Sequence, residues 1–416
     1  MSRTAPAPPP PLTTPRPDDL GLRHIRNSSG LLFSLLPNGG LFALEHAHPD
    51  GRILINRTLG SPIAGGLERL WLRIGGSAPA VAPIAGAAAR GRLGAGDLSF
   101  VWSGETAGLR HEVRLRLDPH RSLWRWCVEV TNTGAATLSC DCVLIQDLGL
   151  GARAFLMNNE AYASQYLDHH IAHHARIGPV LMSRQNLPQN GRHPWVAHAC
   201  LPAAVSFATD HYPLMGPAHR DADGFALPFG TSLPSRRLQH ESGCAALQSS
   251  PVELARGGSA SWSFLALYCA DHAGASADAD LALIDAALTD AALTDASREP
   301  PVALACATRS LLQDAASAAA DSFDGEELSA RYPRQTHIER AAGRVMSFFT
   351  PGDGGDRHVV LRDKERQVLR RHGALLRSGD ALLPDERTLC VTCWMHGVFG
   401  AQLAIGNTSF HRLFSV

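Results

Sequence analysis

The densest group of side chains able to do chemistry lies between Met157 and His170, where asparagine, glutamine, glutamate, tyrosine and histidine follow one another. Amide and carboxyl groups supply hydrogen-bond donors and acceptors, and tyrosine rings supply flat apolar faces. A sugar needs both kinds of contact, one for its hydroxyls and one for its C–H faces. We therefore predict a carbohydrate-contacting loop with the candidate residues Asn158, Asn159, Glu160, Tyr162, Gln165 and Tyr166. A loop capped by its own polar side chains is the alternative that composition leaves open.

Other pairs of residues have the spacing of metal or redox sites but lack a complete set. His169-His170 and His173-His174 would share a helix face at i and i+4, yet no third ligand stands at a known metal spacing. Cys140-x-Cys142 and Cys390-x-x-Cys393 are single pairs, so we interpret both as structural. We expect no metal and no catalytic residue here, and hydrated or sugar-facing histidines. The scattered carboxylates single out no acid–base pair.

Composition excludes several classes of partner. The 416 residues include 38 basic and 39 acidic side chains, for a net charge of −1, so no basic field exists to bind nucleic acid or an anionic membrane surface. No apolar run is long enough to span a bilayer, and no signal peptide is evident, so we expect a cytoplasmic protein. The nine cysteines are an odd number scattered through apolar stretches, which predicts reduced thiols and no disulfides.

Short segments of alternating polarity indicate the elements that position these residues. Residues 109–117 and 123–131 alternate strictly, and Asn132-Thr133-Gly134 then supplies turn chemistry before 138–146, which predicts a hairpin between the last two strands. Further strands are expected at 99–103, 204–209 and 261–268. So many strands without intervening helices predict a mainly β fold, with a large antiparallel β-sandwich of the super-sandwich type over residues 20–271.

Three other segments flank this sandwich. Residues 1–19 are rich in proline and poor in apolar side chains, which predicts a disordered lead-in. Residues 272–342 read as an α-helical linker, with helices at 279–296 and 302–323. Strand signals return in 343–416, at 345–349, 358–361, 388–395 and 401–405, and predict a short further β-segment.

Several stretches together resemble a known family. They are residues 156–166, Ser183-Arg184-Gln185-Asn186, residues 382–386, residues 393–399 and residues 406–410. They are similar to the N-terminal part of the 1,2-β-oligoglucan phosphorylases of glycoside hydrolase family 94, relatives of cellobiose phosphorylase and of the phosphorylase-like region of cyclic β-1,2-glucan synthase. The likeness runs from about Gly21 to Val416.

The resemblance implies a sandwich, a helical linker and then an α/α barrel, which cleaves a β-glucosidic bond with inorganic phosphate as co-substrate and with inversion. In that family an aspartate on the barrel is the general acid, and this sequence stops before a barrel, so no general acid and no phosphate ligand is carried over. The resemblance also implies that the sandwich forms a homodimer and lends loops to the rim of the sugar site. It adds Arg184, Gln185 and Asn186 to the candidate substrate-binding residues.

Three functions follow as expectations. The first is the non-catalytic N-terminal part of a phosphorylase-type protein acting on β-1,2-glucooligosaccharides, with a second copy or a separately encoded catalytic barrel as its partner. The second is a free-standing glycosidase, which would need a carboxylate pair such as Glu160 and Asp168 about 5–10 Å apart. The third is a carbohydrate-binding or dimerisation module, which would show an exposed apolar patch without a cleft.

Overall fold

The computed structural model describes residues 21–60, 68–75, 80–89, 91–211, 214, 232–239, 242–289, 301–304, 329–330, 332–341, 344–352 and 355–360. The predicted lead-in at 1–19 and the predicted strands at 388–395 and 401–405 lie outside these residues. The described part is mainly β, with several antiparallel sheets and few helices, so the predicted fold class is confirmed.

The strands up to residue 269 are, in chain order, β1 (Arg23–Arg26), β2 (Leu31–Leu35), β3 (Leu41–His48), β4 (Gly51–Leu54), β5 (Arg69–Ile74), β6 (Ala80–Ala85), β7 (Arg92–Gly96), β8 (Ser99–Thr106), β9 (Leu109–Leu117), β10 (Leu123–Asn132), β11 (Leu138–Asp147), β12 (Gly151–Ala152), β13 (Leu167–His174), β14 (Gly178–Gln185), β15 (Trp195–Leu201), β16 (Ala204–Asp210), β17 (Gly243–Ser249), β18 (Val252–Leu254) and β19 (Ser259–Cys269). They are followed by β20 (Val302–Leu304), β21 (Thr336–Ala341), β22 (Arg344–Gly352) and β23 (Gly355–Val360). The helices are α1 (Arg153–Gln165), a 3₁₀ turn (Asp278–Asp280) and α2 (Leu281–Thr289).

The described strands form four sheets. The nine-stranded sheet has the order β13-β14-β15-β19-β10-β9-β8-β7-β20, and the six-stranded sheet has the order β16-β17-β11-β5-β6 with β18 added beside β11. A five-stranded sheet runs β1-β2-β3-β4-β12, and β21, β22 and β23 form a separate three-stranded sheet. The main core joins the first three sheets, because Trp126, Leu72 and Phe33 from the nine-, six- and five-stranded sheets belong to one buried cluster.

The alternation of apolar and polar residues explains which side chains of β9 and β10 face the core. Along β9 the residues Leu109, Val113, Leu115 and Leu117 are buried, and the arginines between them face away from the core. On β10 the same rule buries Trp124 and Trp126. Burying these side chains removes several hundred Å² of apolar surface from water, at roughly 25 cal/mol per Å².

The predicted hairpin between 123–131 and 138–146 is wrong, although both strands exist. Both edges of β10 are occupied, one by β9 and the other by β19, so β11 cannot pair with it. Residues between them cross from the nine-stranded sheet to the six-stranded sheet, where β11 pairs with β5 and β17. Asn132 holds this crossover by donating its amide to the carbonyls of Ala136 and Leu254, each at 2.8 Å.

The predicted helices are confirmed only in part. The first is confirmed where it is described, since α2 covers Leu281–Thr289, and residues 290–296 lie outside the described residues. The second is wrong where it can be compared, because Val302–Leu304 is strand β20, which fills the free edge of β7. Residues 305–323 lie outside the described residues. Strand β21, at Thr336–Ala341, also lies within the segment that the sequence predicts as helical linker.

The described cysteines are all free thiols: Cys127, Cys140, Cys142, Cys200, Cys244 and Cys269. Burial raises the pKa of Cys140 to about 12, and it also raises the pKa of Cys142 and Cys200, so these thiols stay protonated. Within the described residues, no helix is long and apolar enough to cross a membrane.

Candidate functional site

Helix α1 carries most of the candidate sugar-binding residues. The sequence favours a helix here because alanine, leucine, methionine and glutamine are good helix formers. Leu156 and Ala163 are fully buried against Phe42 and Leu54 of the five-stranded sheet. The opposite side faces solvent and exposes Met157 and Tyr162, each by 49%.

This arrangement corrects the prediction of a loop between Met157 and His170. The segment is helix up to Gln165 and strand β13 from Leu167, with a single turn residue between them. Polar residues in this helix had suggested a loop, but the buried stripe at Leu156 and Ala163 supplies the tertiary packing that stabilises a helix. One residue departs from helical geometry: Asn159, with φ −136° and ψ 36°, marks a kink.

Close contacts at both ends hold α1 in place. At the start, the side chain of Gln189 accepts a hydrogen bond from the Ala152 amide at 2.9 Å, and Gly151 leaves space for Leu156, which a Cβ would approach to 3.0 Å. At the end, the Ser164 hydroxyl accepts a hydrogen bond of 2.7 Å from the Gly243 amide. A Cβ on Gly243 would stand 2.8 Å from that hydroxyl, so only glycine fits without rearrangement.

Two tyrosines form an aromatic pair on the exposed side of α1. Tyr162 and Tyr166 stand one turn apart, their hydroxyls are 2.9 Å from each other, and their rings meet edge to face with centroids 4.9 Å apart. The hydrogen bond from Tyr162 raises the pKa of Tyr166. The pair offers an aromatic surface with hydroxyls at one end.

Each of the two asparagines beside this pair makes one side-chain hydrogen bond within the described residues. Asn158 donates its amide to the Ala154 carbonyl at 3.0 Å, and Asn159 donates to the Phe155 carbonyl at 3.1 Å. Both side chains are exposed, and each amide oxygen is available as a hydrogen-bond acceptor within the described part of the chain. The Glu160 side chain lies outside the described residues, and Gln165 is exposed at the end of the helix.

The candidates on β14 divide into interior and exposed residues. Gln185 is fully buried and donates to the carbonyls of Gly149 and Ala163, each at 3.1 Å. Arg184 is buried and donates to the Asn186 side chain at 2.7 Å and to the His272 carbonyl at 3.0 Å. Asn186 is exposed, and its backbone amide bonds the Tyr166 carbonyl at 2.9 Å. The structure thus brings Asn186 beside the end of α1, with Arg184 and Gln185 beneath.

The histidines occupy strand β13, so their spacing is not that of a helix face. His169 is buried and bonded to the Ser183 hydroxyl at 2.8 Å, which corrects the expectation that it is hydrated or faces sugar. His170 and His174 pair with Asp278 and Asp285, and His173 is exposed. Within the described residues no three metal-binding side chains converge.

Sequence reasoning missed a second polar feature, in the interior. Glu68, only 4% exposed, borders a small pocket that is also lined by Phe33, Trp102 and Trp126. Neither of its carboxyl oxygens has a hydrogen-bond partner among the described residues. Burial raises the pKa of Glu68 to about 8, repulsion from Asp147 adds to this, and Trp126 and Arg69 oppose it. A lone glutamate before an apolar strand carries no signal of this in sequence.

Two family models together match most of the chain. Residues 34–266 match the family described as "SOGP N-terminal domain", and residues 332–416 match the family described as "Glycoside phosphorylase supersandwich domain". The description that mentions a supersandwich therefore applies to the second segment, and the described sheets up to residue 269 lie mainly in the first.

A curated relative agrees with these matches. The 1,2-beta-oligoglucan phosphorylase of Listeria innocua is 29% identical over 364 residues, which are 86% of this chain and 31% of that protein. Two solved structures are also similar. A polysaccharide lyase is 10% identical with a TM-score of 0.37, and the match covers 60% of this chain and 32% of the lyase chain. A bacterial glucoamylase complexed with acarbose is 11% identical with a TM-score of 0.35, and the match covers 62% of this chain and 32% of the glucoamylase chain. At these values they support no inference about function.

Proposed function

Because the chain belongs to the SOGP N-terminal domain family, we propose that it is the non-catalytic N-terminal β-sandwich part of a phosphorylase-type protein that acts on β-1,2-glucooligosaccharides. The chain spans 31% of the length of its curated relative, and in this proposal bond cleavage resides in the remaining part. Inorganic phosphate is then the co-substrate of the complete enzyme. The described chain contributes to the rim of the sugar site and to a homo-oligomer or a contact with a separate catalytic barrel.

The observation that carries this proposal is the exposed Tyr162–Tyr166 pair beside unfilled amide acceptors. Gln165 and Tyr166 follow the kink at Asn159 and lie three and four residues after Tyr162, so by helical spacing the aromatic pair and the Gln165 amide face the same solvent region. Stacking on a ring face combined with hydrogen bonds to amides is the chemistry that a glucosyl unit requires. Asn186 borders the end of the helix, where its backbone amide bonds the Tyr166 carbonyl.

Arg184 and Gln185 enter this proposal as positioning residues. Gln185 links the Ala163 carbonyl in the last turn of α1 to the Gly149 carbonyl before β12, so it holds the helix against the sandwich. Arg184 orients the side chain of Asn186 through a 2.7 Å contact. Both side chains are buried, so in this proposal they do not contact the substrate. They act on it by positioning Asn186 and Tyr166.

A titration of the chain with sophorose, followed by nuclear magnetic resonance, tests the sugar contact. We expect shifts for α1 residues, with an affinity on the order of millimolar, about −4 kcal/mol, because only one side of the site is present. Tyr166→Ala and Asn159→Ala should abolish these shifts while leaving the fold intact. Val205→Ala, at a residue that is 48% exposed on β16, is the matched control and should leave them unchanged.

Two outcomes would contradict the proposal. Absence of α1 shifts at high sophorose concentration removes the sugar contact for this chain. Release of glucose 1-phosphate from β-1,2-glucooligosaccharides and phosphate by the purified chain would show that a complete catalytic site exists within it, and would exclude the non-catalytic role. The cytoplasmic location stays part of this proposal, supported by the free thiols of the described cysteines.

A further inference from the structure

The outer face of the nine-stranded sheet carries a row of hydrogen-bond donors away from α1. Strands β8, β9 and β10 direct Phe100, Leu115 and Trp124 into the core, so the alternate residues project outward. In the register of the sheet, Arg125 of β10 stands opposite Arg116 of β9, and Arg116 stands opposite Ser99 of β8. Three donors therefore lie side by side on one face.

Neither arginine forms an ion pair within the described residues, although Asp118 partly offsets the charge of Arg125. Two carboxylates on and just after β9 are engaged by other arginines, since Asp118 pairs with Arg121 at 2.9 Å and Glu112 pairs with Arg114 at 3.0 Å. Like charges directly opposite each other on neighbouring strands destabilise a sheet. Burial lowers the pKa of Arg125, and repulsion from Arg121 and Arg116 adds to this effect, partly opposed by Cys127 and Asp118. An anion between Arg116 and Arg125 would relieve the repulsion.

The geometry favours a small anion over a large acidic surface. The Arg125 side chain is partly buried, and its Nε is shielded from solvent without an acceptor in the described part of the chain. At the other end of the row, Gly96 has no side chain, and a Cβ there would come within 2.9 Å of the Ser99 hydroxyl. Arg116 and Arg125 lie on neighbouring strands about 5 Å apart, a separation that suits one group of phosphate size held by paired guanidinium donors.

We propose that Arg116, Arg125 and Ser99 form a binding site for a small phosphate-type oxyanion on the outer face of the nine-stranded sheet. The guanidinium groups supply paired N–H donors and the serine supplies one hydroxyl donor. The oxyanion is either inorganic phosphate or the phosphate group of a monoester. The site is separate from the proposed sugar rim on α1 and does not depend on it.

Isothermal titration calorimetry of the whole chain tests this site, with inorganic phosphate and methyl phosphate as the two probes and chloride at matched ionic strength as the blank. We expect saturable binding of at least one probe that weakens as salt rises. Arg116→Gln and Arg125→Gln should each weaken binding about tenfold or more, because each removes charged hydrogen bonds. Arg110→Gln is the matched control, since Arg110 is exposed on the same face of β9, and it should leave binding unchanged.

The possible outcomes distinguish between the two ligands and also test whether the site exists. Binding of inorganic phosphate identifies the free ion as the ligand, whereas binding of methyl phosphate alone identifies a monoester. No saturable binding of either probe overturns the proposal, and so does equal weakening by Arg110→Gln, which would indicate a diffuse charge effect. Circular dichroism checks that each variant is folded. If Arg125→Gln does not fold, Arg116→Gln and Ser99→Ala provide the same test, and unchanged affinity in both would refute the site.

Discussion

Replacing Glu68 with glutamine should stabilise the protein, and the gain should grow with pH. Glu68 is buried and its pKa is raised from 4.5 to about 8, because burial disfavours its charged form. The folded state therefore binds this proton more tightly than the unfolded state. Stability from this group is fully present below pH 4.5, is lost as the pH rises through 8, and changes no further above that value.

The magnitude follows from the size of the shift. At about 1.4 kcal/mol per pKa unit, the cost of keeping Glu68 in its buried position is roughly 3 kcal/mol at pH 7 and about 5 kcal/mol above pH 8. Glu68→Gln removes this cost, since the amide does not ionise. Burying the new amide without partners costs about 1–3 kcal/mol, but this amount does not depend on pH. The difference in unfolding free energy between variant and wild type should therefore rise by about 1.4 kcal/mol per pH unit between pH 5 and 8.

Urea unfolding followed by tryptophan fluorescence measures this difference, because Trp102 and Trp126 line the same interior space. Val205→Ala, at an exposed residue of β16 that does not ionise, is the control and should give a difference that stays flat with pH. Titration of other groups affects both proteins alike and cancels. A difference between Glu68→Gln and wild type that does not increase with pH would refute the reasoning, and would mean that Glu68 is ionised in the folded protein.

Two further predictions follow from the same structure. Burial holds the pKa of His169 at about 4 and that of His198 at about 3, so both are neutral when folded. Stability should therefore fall as the pH drops below 6.5, by about 2 kcal/mol for each histidine at pH 5. His198→Gln should flatten this loss in acid urea titrations, whereas Val205→Ala, at an exposed residue that does not ionise, should not. The purified chain mixed with β-1,2-glucooligosaccharides and phosphate should release no glucose 1-phosphate above background in a coupled enzymatic assay, and clear turnover would contradict the non-catalytic role.

Local patterns in the sequence predict most strands but not their neighbours. The alternation in β9 and β10 arises because one face of each strand is solvent-facing and the other is buried. It can therefore be recognised in the sequence without knowing the partner strand. Pairing depends on which edges distant strands occupy. Because β9 and β19 take both edges of β10, the turn residues after Asn132 lead into another sheet instead of closing a hairpin. Strand β20 shows the same principle, since the open edge of β7 overrides the helical tendency of residues 302–304.

For the candidate site, too, the sequence indicates which residue types are present but not which of them are exposed. Composition alone locates the polar and aromatic cluster, because clustered amides and tyrosines are unusual whatever their conformation. It does not separate Gln165 from Gln185, which are the same residue type 20 positions apart. Strand β14 lies between β13 and β15, and this central position buries Gln185, whereas Gln165 ends an exposed helix. Since buried amides must be hydrogen-bonded, Gln185 is committed to holding α1, and only the amides on the open side of that helix remain free for a ligand. The sugar contact we propose therefore depends on a residue that touches no sugar.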